Sequence, residues 1–259
     1  MTILDEIIVN KRKEVAKLKE SVLVTSLESS YYFKATVNSL SAYLLHPERT
    51  GIIAEFKRKS PSKGWINKDA DVQQITMQYA LAGASGLSVL TDTDFFGGSI
   101  EDLSIARKAN EIPILRKEFV VDEFQILQAK SYGADAILLI ASCLTIDETL
   151  MLAKFAQSLG LEVLLEIHNE QELQHINSFV NIVGVNNRDL KTFQVSLDTS
   201  LHLVNKIPNP FIKISESGIT CTADIHLLSN AGFHGFLIGE RFMHEANPGL
   251  AFNDFVKSI

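Results

Sequence analysis

Hydrophobic positions recur along this chain in two rhythms. Over residues 1–20, Ile3, Leu4, Ile7, Ile8, Val15 and Leu18 repeat at helical spacing with lysines and glutamates between them, the pattern of an amphipathic helix. Residues 21–47 are mixed. The run SLSAYLL predicts one more short helix there, closed by Pro47. From residue 51 onward, short β-branched apolar runs take over, at 51–57, 86–91, 112–117, 134–140, 161–167, 182–186, 211–215 and 235–239. Helical patterns such as DVQQITMQYALAGA, SIEDLSIARKAN, DEFQILQAKSYGA, DETLMLAKFAQSLG and CTADIHLLSNAGF lie between them, and several end at a glycine.

Eight strands alternating with helices predict a parallel sheet. No linker or low-complexity segment interrupts the series. The expectation is therefore a single α/β domain over residues 1–259, a (β/α)8 TIM barrel with residues 1–47 as an N-terminal helical extension. A doubly wound open sheet is the alternative. It would ordinarily carry a G-x-G-x-x-G turn after its first strand, and that turn is absent.

Composition narrows the picture by exclusion. A net charge of −7 weighs against a nucleic-acid binder, although a local group of lysines can still hold an anion. The two cysteines, Cys143 and Cys221, are too far apart to frame a disulfide scaffold or a zinc motif, which fits a reduced, cytoplasmic chain. The N-terminus lacks the apolar core of a secretory signal, and no apolar run is long enough for a membrane span. The seven histidines contain no H-x-x-x-H pair, so no metal is expected. No long apolar edge is evident, so a monomer is expected.

In such a barrel, chemistry sits where the strands end. Strand one ends in Glu55 and Lys57, followed by Ser60-Pro61-Ser62. Strand two runs into TDTDFFGGS. Strand three ends in Lys117 and Glu118, and strand five in Glu166. Strand six ends in Asn186, Asn187 and Arg188, and strand seven in Glu216, Ser217 and Gly218. Strand eight ends in Gly239. Any one charge here is most simply a structural ion pair, but Lys57, Lys117 and Glu166 together at one rim point to catalysis. Gly218 and Gly239 fall in the two loops that often bind phosphate in this architecture. Weaker signals remain open. Asp92 and Asp94 are cation ligands or a solvated loop, His168 is a base or a surface residue, and Trp65 lines the mouth or covers the core.

These segments together, IIAEFKRKSPSKG, SVLTDTDFFGGS, PILRKEFVVDEFQI, LLEIHNEQEL, VGVNNRDLKTF, ISESGI and FLIGERFM, resemble the indole-3-glycerol phosphate synthase family of tryptophan biosynthesis over nearly the whole chain. The resemblance implies a carboxy-lyase acting on 1-(2-carboxyphenylamino)-1-deoxyribulose 5-phosphate. It implies Lys117 as general acid and Glu166 as general base. Glu55 and Lys57 would lie beside the substrate carboxylate, Asn186 against its hydroxyls, and Glu216 and Ser217 at strand seven. Ser60, Ser217, Gly218 and Gly239 would hold the phosphate, and Phe96 and Phe119 would wall the aromatic ring. Arg188 joins the substrate-binding set. No cofactor is implied, and the partner is a small phosphorylated substrate. The N-terminal helix would act as a partial lid over the ring; a structural plug at the barrel bottom is the alternative. Two departures stand out. Glu118 replaces the usual Asp, which would alter its reach if it orients Lys117. Phe56 replaces an aliphatic residue and is expected to face the helices. A rival reading is another phosphosugar barrel, such as phosphoribosylanthranilate isomerase, which would not need the two lysines and Glu166 together. Another is an inactive barrel that only binds.

Overall fold

The computed structural model describes residues 2–190 and 192–259. Its centre is a closed barrel of eight parallel strands: β1 (Ile52–Phe56), β2 (Gly86–Leu90), β3 (Ile114–Lys117), β4 (Ala136–Ile140), β5 (Glu162–Ile167), β6 (Ile182–Asn186), β7 (Ile212–Glu216) and β8 (Gly235–Ile238). Each pairs with its sequence neighbour, and β8 returns to β1 through Ile53 opposite Leu237. The strand period of two sorts the side chains. Ile52, Ala54 and Phe56 of β1 point outward into the layer between sheet and helices. Ile53 points inward, where Leu115, Leu138, Leu164, Ile182, Ile214 and Leu237 meet it in a separate interior cluster. Phe56 does face the helices, with the Arg58 guanidinium over its ring.

Strand limits shift slightly from the sequence reading. β1 stops at Phe56, so Lys57 begins the loop, while β7 runs on to Glu216, which pairs opposite Asn186. Between β5 and β6 the chain makes only a 3-10 turn, Gln171–His175.

The N-terminal extension holds α1 (Ile3–Ser21), α2 (Val24–Glu28), α3 (Tyr31–Lys34) and α4 (Leu40–Leu44). A reciprocal cap between Thr2 and Asp5 starts α1. The ring around the barrel comprises α5 (Val72–Leu81), α6 (Ile100–Ala109), α7 (Glu123–Ser131), α8 (Ile146–Ser158), α9 (Asp198–Leu203), α10 (Thr222–Ala231), α11 (Glu240–Met243) and α12 (Pro248–Val256). Tyr79, Phe242, Phe252 and Phe255 interlock edge-on, binding α5, α11 and α12 behind the end of β8. Among the described residues, no helix is long and apolar enough to cross a membrane.

The extension occupies both ends of the barrel. At the strand N-termini α4 is a plug: Leu40 and Leu44 join the interior cluster, above Gly86 and Gly235. A β-carbon at either glycine would come within 2.7 Å of a leucine methyl, so a side chain there would push the plug leucines aside. Ser39 and Ser41 fix the plug by donating to the Glu162 carboxylate at the start of β5. At the opposite end α1 lies across the strand C-termini, with Ile3, Leu4 and Ile7 facing the opening. The N-terminal helix α1 thus stands at the mouth and not at the barrel bottom, where a different helix, α4, is the plug.

Leu40→Ala should lower stability by roughly 2–5 kcal/mol, because the rigid strand ends cannot collapse into the space. Urea unfolding measures this. An unchanged midpoint would mean that α4 does not seal the barrel.

Candidate active site

The interior cluster ends one step of two below the strand C-termini, and there the inward residues become polar. Glu55 follows Ile53, Lys117 follows Leu115, Glu166 follows Leu164, Asn186 follows Gly184, and Glu216 follows Ile214. Strand geometry alone therefore stacks a polar layer on an apolar one. Above it opens a cavity of about 820 Å³. Glu55, Lys57, Ser60, Phe96, Lys117, Phe119, Glu166, Asn186, Arg188, Glu216, Ser217, Gly218 and Gly239 all line it.

Lys117 is the hub of this layer. Its Nζ lies 3.0 Å from Glu166 Oε2 and 2.5 Å from Glu216 Oε2. Burial opposes its charge, but Glu166, Glu216 and Glu55 outweigh that and raise its pKa above the ordinary lysine value. Burial also works against ionised Glu166, yet Lys117 and His168 prevail and hold it below the usual carboxylate range. Glu216 goes the other way. Burial, with the charges of Glu166 and Glu55, raises it to about 7 despite Lys117. Its Oε1 is buried without a hydrogen-bond partner, and it fits only because residue 184 is glycine: a β-carbon there would stand 2.2 Å from it.

Lys57 and Glu55 form a second pair at 2.7 Å. Gly239 leaves space for Glu55, whose Oε1 lies 2.6 Å from where a β-carbon would stand. Asn186 accepts the Arg188 N–H through Oδ1, which leaves its NH2 group to the cavity. Asn187 turns away, donating to Ser215 Oγ and the Ser217 carbonyl while accepting from the Ser200 N–H. It thereby holds the sharp turn in which both Ser217 (φ 66°) and Gly218 (φ 79°) are left-handed. Arg188 spans from β6 to Glu240 after β8, at 3.1 Å. At the mouth, the Phe96 and Phe119 rings pack on each other at a tilt of 43° with centroids 5.9 Å apart, near Ile3, Leu4 and Ile7 of α1.

Glu118 does not serve to orient Lys117. Its carboxylate faces α1, with Oε1 3.1 Å from Lys11 Nζ and Oε2 accepting the Thr91 hydroxyl. The open signals also resolve. Asp92 is buried and accepts the N–H groups of Phe95 and Phe96, Asp94 accepts from Asn10, and Trp65 is half-exposed beside Lys59 and Lys68. His168 stands behind Glu166. Its Nε2 is 3.3 Å from Glu166 Oε1 as an ion-pair contact, and its Nδ1 is 3.2 Å from Glu172. Among the described residues, no three His, Cys, Asp or Glu side chains gather as a metal site would.

The cavity also has walls that sequence reading passed over. Lys63 sits in the segment quoted for the strand-one loop. Arg241 and His244 lie within a turn and a half after Gly239, where helical spacing from the last strand could have found them. Phe193, left-handed in the loop after β6, closes the quoted segment VGVNNRDLKTF but had no role assigned to it.

Solved structures place the fold. A 3-hexulose-6-phosphate synthase from Salmonella typhimurium superposes with a TM-score of 0.63 at 10% identity, covering 80% of this chain and 97% of that one. A chain of the tryptophan synthase complex from Pyrococcus furiosus gives 0.59 at 13%, covering 82% and 98%. These distant likenesses define the class, a (β/α)8 barrel. Sequence goes further. The family model for indole-3-glycerol phosphate synthase matches residues 4–255. The indole-3-glycerol phosphate synthase of Bacteroides thetaiotaomicron is 46% identical over 99% of this chain and 98% of its own. A Prochlorococcus marinus protein of the same name is 42% identical over 99% and 90%. The chain belongs to the indole-3-glycerol phosphate synthase family, and with it to the carboxy-lyases of tryptophan biosynthesis.

Burial opposes charge on His168, but Glu166 and Glu172 raise its folded pKa from 6.5 to about 10. A raised pKa contributes stability that is complete below pH 6.5 and is lost as pH climbs through about 10. The stability difference between the unaltered protein and His168→Gln, read by urea unfolding, should therefore be largest in mild acid and shrink toward that upper limit. A difference that stays flat across the window would mean a neutral ring.

Proposed function

We propose that this enzyme converts 1-(2-carboxyphenylamino)-1-deoxyribulose 5-phosphate into indole-3-glycerol phosphate, CO2 and water. The observation that carries the reading is Lys117, held charged between two carboxylates where the apolar and polar halves of one cavity meet. The aromatic ring lies against the wall that Phe96 and Phe119 form together, under Ile3, Leu4 and Ile7 of α1. The phosphate takes the turns at Ser217–Gly218 and Gly239, with Ser60 opposite, where backbone N–H groups and left-handed residues suit an anion. Lys57 and Arg188 face the substrate carboxylate, and the Asn186 NH2 group faces the sugar hydroxyls.

The chemistry follows from this placement. The ring carbon bearing the carboxylate attacks the ketone carbon, and the carbonyl π electrons move onto oxygen. Lys117 donates its proton there. A lysine of raised pKa is a poor acid toward water but a competent one toward a developing alkoxide. The carbon–carboxylate bond then breaks, its electrons restore the ring, and CO2 departs. In the last step the new hydroxyl leaves as water with a proton from a cationic side chain. Ionised Glu166 removes the proton whose loss completes the indole. Glu216, near 7, shares a proton with this layer and balances charge as Lys117 gives up its own. On this reading the barrel and the extension, residues 1–47, work as one domain, because α1 closes the ring side.

Lys117→Ala should reduce turnover by about 10²–10⁴-fold, the usual worth of a positioned acid. Offering the arylamino ketose phosphate and following indole fluorescence tests both claims. No product from the unaltered enzyme sinks the reaction, and near-normal turnover by the variant sinks the acid.

A further inference from the structure

We infer that Lys11 of α1 is a positioning residue that sets how the Phe96–Phe119 pair is placed at the cavity wall, and through it the site's grip on an aromatic ring. The inference rests on the proposed reaction only for the identity of that ring.

The stripe that α1 buries runs Ile7, Lys11, Val15, at steps of four. The sequence pattern skips position 11, and a lysine fills the gap. It is 1% exposed, as deeply buried as its apolar neighbours. An ammonium in such a place is costly unless paired. Lys11 has three carboxylates: Glu14 at 2.8 Å on its own helix, Asp92 Oδ2 at 3.0 Å and Glu118 Oε1 at 3.1 Å. Burial opposes its charge, but Glu118 and Asp92 raise its pKa beyond the ordinary lysine value.

Those two barrel carboxylates share a second task. Asp92 Oδ1 accepts the N–H groups of Phe95 and Phe96, at 2.8 and 3.1 Å. Glu118 Oε1 accepts the Phe119 N–H, at 2.8 Å. Each acid therefore holds the backbone of one phenylalanine of the pair, one after β2 and the other after β3. The single ammonium draws both acids together. Without it, two buried anions would face each other across adjacent loops. Arg116 is 3.7 Å from Glu118 Oε2 and also donates to Thr91, so it screens only the side away from α1. Lys11 does not line the cavity, so its effect on a ligand runs through the phenylalanine pair that does.

The test compares a ligand with a ring and one without. The ketone-reduced 1-(2-carboxyphenylamino)-1-deoxyribitol 5-phosphate cannot react, and ribitol 5-phosphate lacks the arene. Calorimetry gives Kd for both. In Lys11→Met the ring ligand should bind about tenfold more weakly, the scale of one well-placed aromatic contact, with ribitol 5-phosphate within about twofold. Equal weakening of both ligands would make Lys11 a general structural strut, and no change in either would make the cluster idle; each result overturns the inference. Circular dichroism checks that the variant folds. If it does not, Lys11→Gln, which keeps a donor without the charge, is held to the same ratio. Failure of the unaltered enzyme to bind the ring ligand would instead sink the proposed reaction, so the two failures are distinguishable.

Discussion

The candidate active site of this barrel depends on one buried ammonium facing two buried carboxylates. Lys117, Glu166 and Glu216 arise from three strands, β3, β5 and β7, that do not pair with one another. They meet only because the sheet closes and every alternate strand points a residue into the same layer. Two negative charges against one positive leave an imbalance in a place with little water. The structure answers it twice. The Glu216 carboxyl is raised to about 7 by burial and its acidic neighbours, and His168 lends positive charge to Glu166 from behind. A layer so balanced can pass a proton without stranding a bare charge, which is what an acid–base sequence requires.

Space for these side chains is made by omission elsewhere. Gly184 exists as a gap for Glu216, and Gly239 as a gap for Glu55. Neither residue carries chemistry through a side chain, yet each decides whether a charged group reaches its partner. At the lower end Gly86 and Gly235 make room for the leucines of α4 in the same way. Function and stability thus draw on one device, a missing β-carbon at an inward position in a strand or just past its end, applied at opposite ends of the barrel.

Much of this was legible in the sequence, for a definite reason. Strands buried on both faces read as unbroken apolar runs, so a charge at the end of one is conspicuous. Glu55, Lys117, Glu166 and Glu216 announced themselves in that way, and the period of two carried them to one cavity. What stayed hidden depends on neighbours across space. Glu118 adjoins Lys117 in sequence but turns to a helix more than a hundred residues earlier. Two helices of the extension serve opposite ends of the barrel, and amphipathic spacing tells only that each buries a face, not against what. Phe193 enters the cavity from an irregular loop, where no period exists to read.

The extension also explains how one common scaffold acquires a particular task. Barrels as distant as 10–13% identity share this frame, so the frame alone selects no reaction. Here the strand ends supply charge, while α1, outside the barrel, supplies Ile3, Leu4 and Ile7 to the apolar half of the cavity. The two halves are joined electrostatically rather than by packing alone. Lys11 reaches from α1 to the acids that follow β2 and β3, and its ammonium neutralises both only where the helix brings it to 3.0 and 3.1 Å from them, a constraint that spread-out apolar contact does not impose. A helix that must cover a cavity at one height and one angle needs a contact that is favourable at only one place along its length. A buried lysine in an otherwise apolar stripe meets that need.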